Sequence, residues 1–446
     1  MGKKLYIKTY GCQMNEYDSK MTLEVMQSSG DIQEVSTPED ADIILLNTCS
    51  IREKAEEKVY SELGRLHKLK QHNPKLKIGV GGCVATQEGE NIFKRAPYVD
   101  LIYGPQTLQR VPHLLEESNK IKAVDVSFPI EEKFDLLPLP TAEGPTAFVS
   151  IMEGCSKYCS FCVVPYTRGD EVSRAPQQIF DEVARLAEQG VSEITFVGQN
   201  VNAYEHPLDG RLLRLSDLIE VTGSINGIER IRYTTSHPLD MTDDLIEAYK
   251  YVPELVSHLH LPVQSGSNEI LTKMKRNYSR ESYLEIIEKL HAARPGIKIS
   301  SDFIVGFPQE TEAQFRETID LVNAVKFDAS FSFIYSARPG TPAAMIEDDI
   351  KLPEKKERLY ELQSLLDSYQ KEYSKDLEGS VQRCLVTGLS KKADSRMQGR
   401  TECNRVVNFD FQNTQILGTL IDIKIDKALA HSLQGHIFSQ EHIPPT

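Results

Sequence analysis

The sequence has no tryptophan, no excess of positive charge, and no long apolar run. Nothing in it approaches the roughly 18 apolar residues of a membrane span, so no spanning helix is expected. Lysine and arginine number 51 against 65 aspartate and glutamate, a net charge of −14. A broadly basic nucleic-acid surface is therefore excluded, although a local patch is not. The amino terminus, Met1-Gly2-Lys3-Lys4-Leu5-Tyr6-Ile7, enters a strand-like pattern without the apolar core of a signal peptide. Tyr6 stands where a myristoylation signal has Ser or Thr. A cytoplasmic location is expected. Cysteine is sparse, with eight in 446 residues. In a long chain without secretory features such thiols read as ligands or catalytic groups before disulfides. The missing tryptophan excludes nothing.

Three of the eight cysteines lie in one short loop, Cys155-x3-Cys159-x2-Cys162, just after the apolar run Phe148-Val149-Ser150-Ile151-Met152. A β-rich run followed by Gly154 reads as a buried strand opening into a loop. Thiolates at this spacing can converge on a soft metal centre. Structural zinc prefers four ligands in paired C-x2-C units, and no second C-x2-C occurs. A [4Fe–4S] cluster on three cysteines would keep one iron open for chemistry on a bound molecule.

The amino-terminal part alternates strand and helix. Lys4 to Tyr10, Ala41 to Asn47 and Lys77 to Val80 read as strands; Asn15 to Ser29 and Glu53 to Gln71 read as helices. This alternation predicts an α/β domain with a doubly wound parallel sheet, which binds ligands at the carboxyl ends of its strands. Cys12, Cys49 and Cys83 each fall just past such an end. They form a second candidate three-thiol site, inferred from strand position instead of local spacing. The segment from Val99 to Pro145 is transitional, and its Pro- and Gly-rich stretch puts a boundary near Pro140.

From Phe148 six candidate strands alternate with helices: Phe148 to Met152, Glu193 to Gly198, Arg230 to Thr235, His258 to Val263, Lys298 to Gly306 and Ser330 to Tyr335. A partial (β/α)6 barrel is expected, with its site at the strands' carboxyl ends. Those ends carry Gln199 and Asn200, Ser236 and His237, Gln264, and Asp302. Polar groups at an apolar barrel mouth suit an amino-acid-plus-nucleoside ligand; His237, before Pro238, is read as structural. Leu352 to Leu377 reads as a connecting helix. After Gly379 short strands with polar turns suggest a small antiparallel β-barrel of an oligonucleotide-binding kind. Lys391, Lys392, Arg396, Arg400 and Arg405 cluster there as candidate phosphate contacts. From Lys375 onward 9 basic residues face 8 acidic ones, so this part escapes the acidity of the rest. Cys384 and Cys403 lack metal spacing and read as structural. The expected domains are 1–140, 141–374 and 375–446.

The stretch from Met152-Glu153-Gly154-Cys155 to Pro165-Tyr166-Thr167-Arg168-Gly169, with Phe161 before the last cysteine, resembles the radical S-adenosylmethionine (SAM) superfamily. Within it, the match is to the methylthiotransferases. Tyr10-Gly11-Cys12-Gln13-Met14-Asn15, Asn47-Thr48-Cys49 and Gly82-Cys83 resemble the amino-terminal domain of the same enzymes. Arg396-Met397-Gln398-Gly399-Arg400-Thr401, with Asn404 and Val406, resembles the TRAM domain, a proposed RNA-binding module. The resemblance covers nearly the whole chain.

It implies two [4Fe–4S] clusters. One, on Cys155, Cys159 and Cys162, would bind SAM through its open iron and cleave it to a 5′-deoxyadenosyl radical. The other, on Cys12, Cys49 and Cys83, would carry sulfur, and the two would face each other. Phe161 would pack near the adenine of SAM, and Gln199, Asn200, Ser236, Gln264 and Asp302 would be SAM-contacting strand ends. No catalytic residue beyond the six cysteines is singled out. The implied reaction replaces the C2 hydrogen of N6-isopentenyladenosine, at position 37 of a tRNA, by a methylthio group. The implied partners are a tRNA anticodon stem-loop, an external electron donor and a sulfur donor, without a membrane. Two alternatives stay open. One is methylthiolation of threonylcarbamoyladenosine in tRNA or of an Asp on a ribosomal protein. The other is a non-catalytic Fe–S, RNA-binding regulator.

Overall fold

The structure is a computed structural model that describes residues 2–50, 55–129, 132–390, 396–411 and 414–438. The chain divides into two compact units. One is Met1–Pro140 with Met152–Ser156 and Val163–Arg174; the other is Thr141–Ile151, Lys157–Cys162 and Ala175–Thr446.

The first unit is built on a six-stranded sheet. Its strands are β1 (Lys3–Thr9), β2 (Ile32–Glu34), β3 (Ile43–Thr48), β4 (Lys77–Gly82), β5 (Leu101–Tyr103) and β6 (Ala123–Asp125). Every neighbouring pair is parallel, in the order β2-β1-β3-β4-β5-β6. The expected doubly wound parallel sheet is present. β3 is buried at every residue, as a central strand covered on both faces should be. Ile44, Leu46, Ile78, Val80 and Ile102 pack against Val59, Leu63 and Leu66 of the helix Ala55–His72. These helix residues recur at i, i+4 and i+7, the spacing of one helical face. The sequence reading overlooked β2, β5 and β6, each of which has three residues. A three-residue strand shows too little alternation to be recognised.

In the second unit the barrel strands are Thr146–Ser150, Glu193–Val197, Arg230–Tyr233, His258–His260, Lys298–Ser300 continuing as Asp302–Val305, and Phe331–Ile334. They follow one another in sequence order with parallel pairing, through ladders and the bridges Ile231↔Leu255 and Gln264↔Phe303. The fifth strand breaks at Ser301, where side chains replace ladder bonds. The Ser301 hydroxyl accepts the Val263 N–H, and the Ser301 N–H goes to the Ser330 hydroxyl. A hairpin, Glu205–Leu208 with Arg211–Arg214, turns on Asp209 and Gly210, both at positive φ. It was not expected, although Asp-Gly is a strong hairpin signal.

The helix Leu352–Lys375 buries Leu362 and Leu366 and anchors Arg358 on Glu310 at 3.0 Å. The chain then forms a closed five-stranded barrel of Val381–Leu389, Arg396–Arg400, Val406–Asp410, Leu420–Ala428 and Leu433–Ile437. Four of its pairings are antiparallel, and Val406–Asp410 runs parallel to Leu433–Ile437. An odd ring of strands cannot alternate direction all the way round, so one parallel pair is a necessity.

Candidate active site

β1, β3 and β4 are consecutive neighbours in the first sheet, so Cys12, Cys49 and Cys83 emerge side by side from its carboxyl edge. The strands end level. Tyr10 N–H donates to the Asn47 carbonyl at 2.9 Å, and the Thr48 hydroxyl to the Gly81 carbonyl at 2.6 Å. Two glycines make the approach possible. A Cβ on Gly11, at φ +121, would stand 2.5 Å from the Cys49 Cβ. A Cβ on Gly82, at φ +88, would stand 2.3 Å from the Thr48 carbonyl oxygen. Behind the thiols, Asn15 donates to the Thr48 carbonyl at 2.9 Å, and Asn47 to the Asn15 carbonyl and the Ser19 hydroxyl, both at 2.9 Å. These buried amides lock the first helix, Gln13–Ser29, against β3.

Cys12 is the N-cap of that helix. Its thiol is pulled down to about 6, first by a hydrogen bond with Cys49, and further by the Arg168 charge and the Asn15 and Met14 N–H groups, against burial. Helix N-termini and cations favour thiolate, the ligating form.

Arg168 was quoted in the sequence motif without a role. It lies in a buried square of charge: it holds Asp18 at 2.7 Å and Glu153 at 3.2 Å. Lys133 closes the square on Asp18 at 2.9 Å and on Glu153. Gln106 caps it, donating to Glu153 at 2.9 Å and to the Arg168 carbonyl at 2.7 Å. Burial alone would raise the Asp18 carboxyl, but Lys133 and Arg168 hold it below its ordinary range.

Of the second thiol set, Cys155 belongs to the first unit, where its N–H donates to the Gly169 carbonyl at 3.1 Å. Cys159 and Cys162 belong to the second, and the Cys162 N–H closes a turn on the Cys159 carbonyl at 3.0 Å. Between them Phe161 packs on Ile270, Met274, Phe307, Tyr335 and Ala343. The Ser160 N–H bonds the Met274 carbonyl at 2.9 Å and its hydroxyl the Lys273 carbonyl at 2.7 Å. Arg276, buried, donates to the Cys159 sulfur at 3.3 Å.

Among the described residues no three Cys, His, Asp or Glu groups stand close enough to hold a single metal ion. A cluster distributes its cysteines over separate irons. Three thiols on neighbouring strand ends, with no imidazole or carboxylate among them, match the all-cysteine ligation of such a cluster.

The barrel mouth collects the other candidates. Asn200 is buried and shares Asp240 with Lys157, at 2.8 and 2.7 Å. Gln264 is buried at φ +73, its backbone bridging to Asp302 and Ile304 at 2.9 Å each. Asp302 is half-buried, 3.5 Å from His260. Gln199 is half-buried where the second strand ends. The Ser236 hydroxyl and His237 Nε2 are buried without a hydrogen-bond partner among the described residues. His237 Nδ1 accepts from the Leu239 N–H at 3.2 Å, so Nε2 carries the proton. Burial, with Arg276 and Lys157 nearby, pushes this imidazole down to about 2 and keeps it neutral. A buried donor without an acceptor is costly unless a ligand meets it. His237 was read as structural because its proline neighbour offered a local explanation.

In the small barrel, Lys391 and Lys392 lie outside the described residues. Arg396 is exposed beside Asp410 at 2.7 Å, and Arg400 reaches the Asn404 side chain at 2.8 Å. Arg405 is committed elsewhere, gripping the buried Asp328 of the large barrel. Arg230 and Arg232, from the third strand of the large barrel, donate to the carbonyls of Arg383, Arg400, Thr401 and Glu402 at 2.6–3.0 Å. The small barrel is thus docked through arginines.

Three family descriptions match the chain: Uncharacterized protein family UPF0004 over residues 4–104, Radical SAM superfamily over 149–322, and TRAM domain over 375–438. A tRNA-2-methylthio-N(6)-dimethylallyladenosine synthase of Haemophilus influenzae is 55% identical over 99% of this chain and 94% of that protein. Proteins of the same name from Hahella chejuensis and Pseudomonas savastanoi are each 56% identical over 98% of the chain, covering 98% and 100% of their own lengths. Among solved structures, the radical SAM methyltransferase TsrM of Kitasatospora setae aligns at a TM-score of 0.56 with 13% identity, over 77% of this chain and 75% of that one. That likeness shows a shared fold.

Proposed function

The chain belongs to the tRNA-2-methylthio-N(6)-dimethylallyladenosine synthases, radical SAM methylthiotransferases, and on that premise we infer that its three parts serve one reaction on tRNA. The reaction replaces the C2–H of N6-isopentenyladenosine by C2–S–CH3. Two [4Fe–4S] clusters, when bound, supply the electron that cleaves SAM and carry the sulfur to be inserted. Cys155, Cys159 and Cys162 would hold one, and Cys12, Cys49 and Cys83 the other. The remaining residues bind and orient. Ser236 and His237 offer buried donors to SAM at the barrel mouth, with Gln199, Asn200, Gln264 and Asp302 at neighbouring strand ends. Phe161 gives an apolar wall. Arg396 and Arg400, with Lys391 and Lys392, offer cations to the tRNA backbone. The domain limits that go with this reading are 140/141 and 374/375. A low-potential electron donor and a sulfur donor complete the partners, and the cytoplasm, where tRNA is modified, is the working place.

The row of Cys12, Cys49 and Cys83 on three adjacent strand ends carries this reading. Sulfur insertion needs a sulfur carrier in addition to the site that abstracts hydrogen, and the second three-thiol site offers one. Mass spectrometry of tRNA from cells lacking the gene tests it. Loss of the 2-methylthio mark on isopentenyladenosine is expected, restored by the wild-type gene and not by Cys49→Ala. Purified Cys49→Ala should still cleave SAM. A lesion confined to threonylcarbamoyladenosine would transfer the activity to that substrate. An intact mark in the deletion strain would support the non-catalytic alternative.

A further inference from the structure

We propose that Arg276 sets the reduction potential of the cluster on Cys155, Cys159 and Cys162, through a charge-assisted hydrogen bond to the Cys159 sulfur. Arg276 is 6% exposed and follows the short helix Asn268–Lys273. Each guanidinium nitrogen has a partner: Nη1 donates to Cys159 Sγ at 3.3 Å, Nη2 to the Pro262 carbonyl at 2.9 Å, and Nε to the Tyr278 hydroxyl at 3.0 Å. Tyr278 in turn donates to the Val263 carbonyl at 2.7 Å, which fixes the ring. The same turn holds the cysteine loop, through the two bonds from Ser160 to Lys273 and Met274. Sulfur and guanidinium are therefore registered by backbone on both sides.

The charge balance is informative. A buried cation needs a compensating anion. Among the described residues the hydrogen-bond partners of Arg276 include no carboxylate, only two neutral oxygens and the Cys159 sulfur. The anion that matches it is the thiolate in which Cys159 ligates iron. Hydrogen bonds to cluster sulfurs, local charge and solvent exclusion are the levers that set cluster potentials. Reduction adds one negative charge to the cluster, and a fixed cation in a dry site stabilises the added charge. Because the electron comes from an external low-potential donor, this lever decides how much of the cluster a given donor reduces.

The inference rests on a cluster being held by these three cysteines, and the test separates the two. Protein carrying Cys12→Ala, Cys49→Ala and Cys83→Ala retains a single site. It is reconstituted anaerobically with Arg276, R276K or R276Q, and iron content and midpoint potential by EPR titration are measured. At a fixed potential the ratio of reduced to oxidised cluster should fall tenfold in R276Q, which for a one-electron couple is a 59 mV downward shift. R276K should stay nearer the parent. Independently, pulsed EPR of the reduced parent grown on nitrogen-15 arginine should show hyperfine coupling to a guanidinium nitrogen. A fully loaded R276Q with an unchanged midpoint, or a parent without that coupling, overturns the proposal. If R276Q loads no iron, the coupling alone decides. Failure of the parent itself to load iron would instead refute the cluster.

Discussion

Arg405 grips Asp328 with both fork nitrogens, at 2.7 and 2.6 Å, and Asp328 is almost wholly buried. The pair ties the small barrel to the large one, and its loss would leave a buried carboxylate unpaired. Arg405→Ala should lower stability by about 3–5 kcal/mol, read as a fall in Tm by calorimetry. Arg396→Ala should leave Tm within a degree or two. Its effect should be weaker tRNA binding, with the slope of log affinity against log salt reduced by about 0.7–0.9. An unchanged Tm in Arg405→Ala, with a salt-dependent loss of tRNA binding, would return Arg405 to the phosphate-contacting set.

The 2.5 Å approach of a Gly11 Cβ to Cys49 leaves no room for a side chain. Gly11→Ala should push β1 and β3 apart at their ends and unseat the amino-terminal cluster. In a background of Cys155→Ala, Cys159→Ala and Cys162→Ala, iron and sulfide per chain should drop by more than half. In the otherwise wild-type chain, SAM cleavage should persist while methylthiolation is lost. Full iron retention would show that the strand ends can spread.

The charge square of Asp18, Lys133, Glu153 and Arg168 should behave as a unit. Lys133→Met leaves two buried carboxylates sharing the one cation of Arg168 and should destabilise by about 3–5 kcal/mol, part of which Lys133→Met with Asp18→Leu should restore. Lys133 and Arg168 make Asp18 titrate below its ordinary value of 3.8 in the folded state. Its ionised form therefore contributes stability above about pH 4, and that contribution disappears as pH falls through the folded value. Asp18→Asn should lower stability at neutral pH and flatten its loss below about pH 4, followed by acid denaturation. An equally steep acid limb in Asp18→Asn would exclude the carboxylate as its source.

His237 is held neutral, about 2 when folded against 6.5 for the free side chain. Below about pH 6.5 the unfolded chain binds a proton that the folded one refuses, so this residue lowers stability as pH falls, by up to about 1.4 kcal/mol per unit. His237→Leu should flatten that slope. It should also raise KM for SAM several-fold, whereas His237→Gln, which keeps a donor, should recover much of the affinity. An unaltered KM in both variants would return His237 to the structural reading.

The sequence by itself determined the candidate ligands and the local frame. Cys155-x3-Cys159-x2-Cys162 is a covalent spacing, so its reading needed no fold. The long helices and longer strands showed in their periodicity, because local chain geometry fixes those periods. Cys12, Cys49 and Cys83 were legible at one remove, through the rule that parallel sheets gather their strands' carboxyl ends. Three-residue strands, the unmet donor of His237 and the sulfur contact of Arg276 could not be read from local sequence. Tertiary structure alone decided which partners meet. Lys133 and Arg168 reach Asp18 from 115 and 150 residues away. Arg405, one of several basic residues in the sequence, became a docking residue because the fold buried Asp328 opposite it. Spacing along the chain fixes what a segment can form, but the burial and pairing of a charge depend on what distant segments bring to it.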